Sequence, residues 1–266
     1  MPGSLKQRLA AGELVPVFAI GRLASPIVVD LFALAGGYQG FWLDNEHVAL
    51  TNDQIVATAV AARANGLDCF IRIPPVGYWL VTQCLEAGMG GVMAAQIHSA
   101  DQAEQFVTWA KFPPRGQRGL NTGGRDANYT HKSPAQFIVD ANRDHFTAIQ
   151  IETLGALQQA DQIAAIEGVD HLFIGPADLS LSLGVPGEFH HPKLWEAIGQ
   201  VAAACRRHGK SWGAVTPDPQ WAARAIEEGC LLPTIGNDLV ALRRGINTLQ
   251  TSFTATDTTA RLFTRE

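Results

Sequence analysis

Residues 147–178 read TAIQIETLGALQQADQIAAIEGVDHLFIGPAD, and this stretch decides the fold. Thr147–Ile151 is a short apolar run of strand length. Leu157–Ile166 has helical spacing and is closed by Gly168, a residue that accepts the left-handed backbone past a helix end. His171–Ile174 is a second apolar run, and Gly175-Pro176 ends it. Strand, helix and strand in succession form a βαβ unit, which pairs its two strands in parallel. A parallel strand covered on both faces carries apolar residues on both, as these two runs do.

The same unit recurs on either side. Further strand candidates are Leu14–Ile20, Gly40–Asp44, Cys69–Ile73, Gly91–Ala94, Ser211–Val215 and Leu231–Ile235. Helical stretches separate them: Pro26–Ala35, Asn52–Asn65, Trp79–Ala87, Ala100–Lys111, Pro192–His208, Pro219–Glu228 and Asp238–Gln250. Glycines 36, 66, 88, 209 and 229 mark their ends. Ser25-Pro26, Thr51-Asn52-Asp53 and Asp218-Pro219 mark starts. Eight strands, each followed by a helix, give the (β/α)8 TIM barrel, an α/β fold that occupies about 250 residues as one domain. The chain has 266 residues. Residues 1–266 are therefore expected to form a single domain with its core at about 14–250 and a Thr-rich tail at 251–266. The segment Phe112–Arg143 is too long for an ordinary connection. Its Gly-rich part, Gly119 to Arg125, is either a loop with structure alone or a recognition site for a second carboxylate or a phosphate. Pro134–Asn142 within it is expected to be helical.

The composition narrows the class. Apolar residues make up 47% of the chain, ample for a core, and the net charge is 20 − 25 = −5. That balance argues against a nucleic acid or an anionic membrane as partner. Charged residues are 17%, against roughly 25% in typical soluble domains, which favours a homo-oligomer. Cys69, Cys84, Cys205 and Cys230 form no C-x-x-C pair and read as buried reduced thiols. No apolar run approaches the ~20 residues that cross a bilayer, and no secretory signal is visible, so the cytoplasm is the expected location.

Chemistry in such a barrel gathers at the C-terminal ends of the strands. The two-residue period of a strand assigns the faces there. Ile149 and Ile151 point to the helices, leaving Gln150 and Glu152 inside. Ile71 and Ile73 point out, leaving Phe70 and Arg72 inside; Trp42 and Asp44 likewise face the axis. Glu152 and Asp178, from adjacent strands, would repel each other on one rim unless a cation lay between them. A divalent metal with oxygen ligands is one answer. A structural ion pair between one of them and Arg72 is the other. The turn through Gly175 and Ala177 to Asp178 opens a helix, so its amides suit a substrate carboxylate.

Five phrases resemble one family: Phe41-Trp42-Leu43-Asp44-Asn45-Glu46-His47, Arg72-Ile73-Pro74, Phe112-Pro113-Pro114-Arg115-Gly116-Gln117-Arg118-Gly119, Gln150-Ile151-Glu152, and Phe173-Ile174-Gly175-Pro176-Ala177-Asp178-Leu179-Ser180. In this order, between about Leu14 and Leu249, they look like the HpcH/HpaI aldolases, metal-dependent (class II) enzymes acting on 2-keto acids. The resemblance implies a carbon–carbon lyase that reversibly cleaves a 4-hydroxy-2-keto acid to pyruvate and an aldehyde through an enolate. It implies Glu152 and Asp178 as ligands of Mg2+, Mn2+ or Co2+, and Gln150 as a polar partner near the metal. Arg72 would stabilise the enolate oxygen, and His47, oriented by Asp44, would move protons. Gly175, Ala177 and Asp178 would receive the substrate. The resemblance further implies a hexamer, or a trimer, with the last helix exchanged between neighbours.

Rival chemistries lack their residues. A Schiff-base aldolase needs a lysine at a strand's C-terminal end, and none of Lys6, Lys111, Lys132, Lys193 and Lys210 stands there. No G-x-G-x-x-G follows a strand and no G-x-S-x-G elbow is present. An acyl-CoA lyase of the malyl or citryl type would want a basic approach that this chain does not show. A catalytically silent binding barrel has no use for Asp44, His47, Arg72, Glu152 and Asp178 together.

Overall fold

The computed structural model describes residues 4–254. Eight parallel strands close on themselves in sequence order. They are β1 (Val17–Ile20), β2 (Gly40–Asp44), β3 (Asp68–Ile73), β4 (Gly91–Ala94), β5 (Phe146–Ile151), β6 (His171–Ile174), β7 (Ser211–Val215) and β8 (Leu232–Asn237). The outer helices in chain order are α2 (Pro26–Ala35), α3 (Asn52–Ala64), α4 (Tyr78–Glu86), α5 (Ala100–Ala110), α6 (Pro134–Asp144), α7 (Leu154–Gln158), α8 (Ala160–Ala165), α9 (Pro176–Ser182), α10 (Pro192–His208), α11 (Pro219–Glu227) and α12 (Asp238–Phe253), and α1 (Leu5–Ala10) precedes them. Four strands and two helices, Pro26–Ala35 and Pro192–His208, carry the bounds expected of them. β1 starts three residues late, because Pro16 has no amide to give a ladder. The helix expected over Leu157–Ile166 is two, broken at Gln159, whose side-chain Oε1 accepts the Ala100 amide at 2.9 Å.

The strand parity is as the period dictates. Trp42, Phe70, Met93, Ala148 and Phe173 fill the barrel interior, while Leu43, Ile71, Val92, Ile149 and Ile174 pack outward against the helices. The register Trp42↔Phe70, Asp44↔Arg72 and Gln150↔Phe173 sets these inner side chains in layers. One element was not expected. Helix α1 closes the lower mouth of the barrel, with Leu5 and Leu9 buried in the interior cluster. Ser4 caps it with a capping box, and Asp68 at the foot of β3 accepts the Leu5 amide at 2.6 Å. Burial of each leucine contributes about 1.5–3 kcal/mol.

The last helix differs from its expected end. It runs on through Thr251–Phe253, so the expected tail 251–266 begins as helix, and residues 255–266 lie outside the described residues. Among the described residues no helix is long and apolar enough to cross a membrane. All four cysteines are buried and unpaired, and burial pushes each thiol up to about 12, so none is a ready nucleophile.

Candidate active site

The inward residues of β2, β3 and β5 meet at the upper rim as the alternation requires. Asp44 ends β2, and Arg72 stands beside it on β3. Their ion pair is close, with Arg72 Nη2 2.9 Å from Asp44 Oδ2 and Nε 3.2 Å from Oδ1. The guanidinium also lies 5.0 Å over the Trp42 ring, a cation–π contact. Trp42 in turn donates from its indole nitrogen to Thr234 at 3.0 Å. Arg72 is thus clamped between Asp44 and a Trp42 ring that is itself held in place. Burial works against the charged form of Asp44, but Arg72 and the amides of Glu46 and His47 outweigh it and hold the carboxyl below its ordinary range.

Asp44 acts on His47 differently from the expectation. Its Oδ1 accepts the backbone amides of Glu46 (3.0 Å) and His47 (3.3 Å), so it fixes the turn and not the imidazole. The ring stands 57% exposed at the rim, with Nε2 3.6 Å from Glu46 Oε2. Glu46 is the residue that sequence reasoning passed over. It lies inside a quoted motif, but falls past the end of the strand, where period-two counting stops. Its Oε2 is 3.3 Å from Arg72 Nε. The Arg72 N–H is directed at Asp44, so this oxygen is buried without a hydrogen-bond donor.

Glu152, one residue past β5, is fully buried. Its Oε1 accepts the Gln96 amide at 2.7 Å, and Gln150 Nε2 donates to its Oε2. Gln96 adopts φ +49° to present that amide, a left-handed conformation uncommon outside glycine. Burial, reinforced by the negative charges of Glu46 and Asp178, pushes Glu152 up to about 7, against the pull of the Gln96 amide and Arg72. Asp178 is the third residue of α9, half-buried, and Ala177 before it is exposed. Gly175 is required by close approach: a Cβ there would come within 2.6 Å of Glu152 Oε2.

The alternative reading of these carboxylates as structural partners of Arg72 is not what the structure holds. Arg72 pairs with Asp44 and Glu46 and with neither Glu152 nor Asp178. Among the described residues no three His, Cys, Asp or Glu side chains converge as a ready cage. Two carboxylates and an amide oxygen do face one another's charge, however, and the Oε1 of Gln150 is buried with no donor. This donor set of hard oxygens fits a divalent cation that keeps other positions for water and substrate.

The Gly-rich segment lies elsewhere. Asn121 Nδ2 donates to Glu86 Oε2 at 2.9 Å, and Arg125 Nη1 donates to Tyr129 Oη at 3.2 Å. It packs on the C-terminal end of α4, the end that leads into β4, at the face of the barrel opposite the rim. Within one chain it therefore recognises nothing at the candidate site. Lys111 is at that lower face too; burial draws its amine down to about 7, and it donates to the His145 carbonyl at 2.7 Å. A lysine so placed cannot form a Schiff base at the rim.

Comparison with known proteins agrees with the geometry. The HpcH/HpaI aldolase/citrate lyase family profile matches residues 42–244. A 5-keto-4-deoxy-D-glucarate aldolase of Salmonella paratyphi C is 30% identical over 252 residues, covering 95% of this chain and 97% of that protein. A 4-hydroxy-4-methyl-2-oxoglutarate aldolase of Hapsidospora irregularis is 31% identical over 246 residues, 90% of each. The crystal structure of an HpcH/HpaI aldolase from Desulfitobacterium hafniense superposes with a TM-score of 0.90 at 30% identity, over 97% of this chain and 99% of that one. A closed barrel with this rim, matched along nearly its whole length, makes the chain an aldolase, a carbon–carbon lyase, and a member of the HpcH/HpaI aldolase/citrate lyase family.

Proposed function

We propose that the chain cleaves a 4-hydroxy-2-keto acid to pyruvate, or a related 2-keto acid, and an aldehyde, and that it also runs the reverse addition. The observation that carries this reading is the buried Glu152 carboxylate in the negative field of Glu46 and Asp178, with only β4 between its strand and that of a clamped arginine. The relatives' names, which specify a keto-deoxy-glucarate and a hydroxy-methyl-oxoglutarate, support the substrate class.

Glu152 and Asp178 would hold the divalent metal, Mg2+, Mn2+ or Co2+, with Gln150 Oε1 beside them. When bound, such an ion supplies Lewis acidity that makes the protons next to a keto group acidic. The chain's own groups do the rest. Arg72 offers a fixed guanidinium where negative charge grows on the enolate oxygen, and Asp44 with Trp42 prevents it from swinging away. Gly175 lets the Gln150 and Glu152 side chains pack directly on the start of α9, which places them next to Ala177 and Asp178, where the keto acid would enter. His47, free at the rim, takes the C4 hydroxyl proton in cleavage and returns it in addition; Glu46 stabilises the imidazolium formed in between. Chelator-treated protein is expected to lose pyruvate release by at least ~10²-fold and to regain it with added Mg2+, Mn2+ or Co2+. Undiminished turnover in chelator, followed by coupled pyruvate detection, would sink the metal assignment.

Assembly as a homo-oligomer, a hexamer or a trimer, is part of this reading. Leu239, Leu242, Ile246, Leu249 and Phe253 are exposed along one stripe of α12, a helix whose one buried residue is Asp238. Their spacing of three and four residues is that of a helix seated on a partner. Exchange of this helix between copies would cover it. Light scattering is expected to return a mass of three or six times 28.6 kDa, and a monomer would refute the assembly. Reduced thiols in all four cysteines suit the cytoplasm.

A further inference from the structure

A rim cavity of about 210 Å3 is lined by Trp42, Asp44, His47, Arg72 and Asp238. One side of it is tied together at the top by Asp238, the buried residue that follows β8. Its Oδ2 accepts the Gly21 amide at 3.0 Å and the Leu23 amide at 2.7 Å, while its Oδ1 accepts the Leu239 amide at 2.9 Å. The turn around Arg22 is therefore bound to the end of β8, and β1 and β8 form one fixed wall of the cavity.

Trp42 leans across that wall. Only β1 stands between β2 and β8, and the β1 residue in register with Trp42 is Ala19, whose single methyl leaves room for an indole. The ring spans two strand spacings, about 9.6 Å, and its Nε1 donates to Thr234 Oγ1 on β8. Thr234 is buried, and its carbonyl accepts both the amide and the hydroxyl of Thr216, at 3.1 and 2.7 Å. From across the barrel Phe173 meets the indole edge-on at 6.1 Å. A valine would fill the place of Thr234 without bringing a hydroxyl to be desolvated, so the hydroxyl has a use, and that use is the indole.

We infer that Thr234 is a positioning residue for enolate formation, acting through Trp42 on the tilt of the Arg72 guanidinium. The inference rests on the aldolase reading above, in which Arg72 meets the growing enolate charge. Asp44 takes two nitrogens of Arg72 and fixes the fork within its own plane. Such a grip leaves the plane free to tilt about the line joining the two groups. The indole face beneath the guanidinium stops that tilt. The ring in turn hangs on χ2, a soft torsion with broad minima, and the hydrogen bond at its far end sets the angle. Thr234 touches no reacting atom. Its loss leaves the ion pair with Asp44 intact and mis-aims the charge, and an error of about 1 Å in such a group costs on the order of 10²-fold. The effect falls on the step in which charge develops, and so on kcat.

The test follows exchange of the pyruvate methyl protons with D2O by metal-loaded protein, which reads enolate formation without an aldehyde. Thr234→Val keeps the shape and removes the hydroxyl. It is expected to lower kcat for exchange by about 10- to 30-fold with KM within about twofold of wild type. Thr234→Ser returns the hydroxyl and most of the rate. Trp42→Phe keeps a ring without the donor and is expected to fall about as far, with the double variant falling no further. A rate near wild type in Thr234→Val, a loss carried by KM, or losses that multiply in the double variant overturns the proposal. Tryptophan emission reads the same contact without turnover, since subtracting the Trp42→Phe spectrum isolates one of the chain's six tryptophans. That component is expected to shift to the blue in Thr234→Val and to change in Arg72→Ala; an unaltered component in Thr234→Val also overturns the proposal. If wild type exchanges no protons, the aldolase reading fails, while the emission still decides whether Thr234 sets the indole against Arg72.

Discussion

Arg72→Ala is expected to reduce pyruvate release by at least about 10³-fold in kcat/KM while the barrel still folds. Removing a single neutral donor from an oxyanion site costs 10² to 10³ in rate, and here a full, desolvated charge is lost. The position has no substitute: the described rim carries one other guanidinium, Arg22, and that stands beyond β2. Arg72→Lys is not expected to restore the rate, because Asp44 is gripped by two nitrogens of a planar fork that an ammonium cannot imitate. The fold pays a smaller cost. Asp44 and Glu46 lose their counter-charge, so the Asp44 carboxyl returns upward from its depressed range, and stability falls by about 1–3 kcal/mol. Steady-state kinetics and a thermal melt on the same sample decide the matter. Activity within tenfold of wild type removes Arg72 from the reaction, and loss of the cooperative melt would mean that its role is structural.

Glu152→Gln is expected to abolish activity and, in metal-free protein, to stabilise the fold at alkaline pH. These opposite effects have one cause. The carboxylate is fully buried among like charges, so its proton is released near pH 7 in the folded protein and near 4.5 in the unfolded chain. Between those values the native state holds a proton that the unfolded state has lost. The residue's contribution to stability is therefore fully present below about 4.5 and declines as pH rises through about 7, a span of about 3 kcal/mol. Glutamine has the same shape and does not titrate. Metal-free wild type and Glu152→Gln should thus melt together near pH 5 and separate towards pH 8, with the variant higher by several degrees. Parallel melting curves across that range would show that Glu152 is not held in the environment described. Catalysis is expected to drop by at least ~10³-fold, since the anionic oxygen on which the proposed metal site relies is lost.

Much of this site could be read from the residues alone because a strand's two-residue period is enforced by backbone geometry. Asp44, Arg72 and Gln150 face inward for the same reason that Leu43, Ile71 and Ile149 face outward. Beyond a strand's last residue that rule lapses. Glu46 was therefore unassigned, and the link from Asp44 to His47 was placed on the ring when it runs through the backbone. Gln96 left no trace in composition, since a left-handed glutamine looks like any other glutamine. Helix α1 is too short for periodicity to declare it; its two leucines acquire meaning only against the open foot of a barrel. The Gly-rich segment stayed open between plain loop and anion site because its chemistry carries no location; topology sends it to the opposite face.

The bond from Asp238 to the turn around Arg22 joins two events at different levels of organisation. Asp238 is the first residue of α12, and α12 carries the apolar stripe that a neighbouring copy would cover. Any shift of that helix on docking is transmitted to the Gly21–Leu23 amides through a single carboxylate. Linkage then requires reciprocity: a ligand that tightens the turn favours whichever arrangement of α12 holds Asp238 in register, and that arrangement tightens the ligand by the same factor. Subunit dissociation would accordingly be felt first at the rim cavity that Asp238 and this turn line with His47 and Arg72, before any loss of the barrel itself.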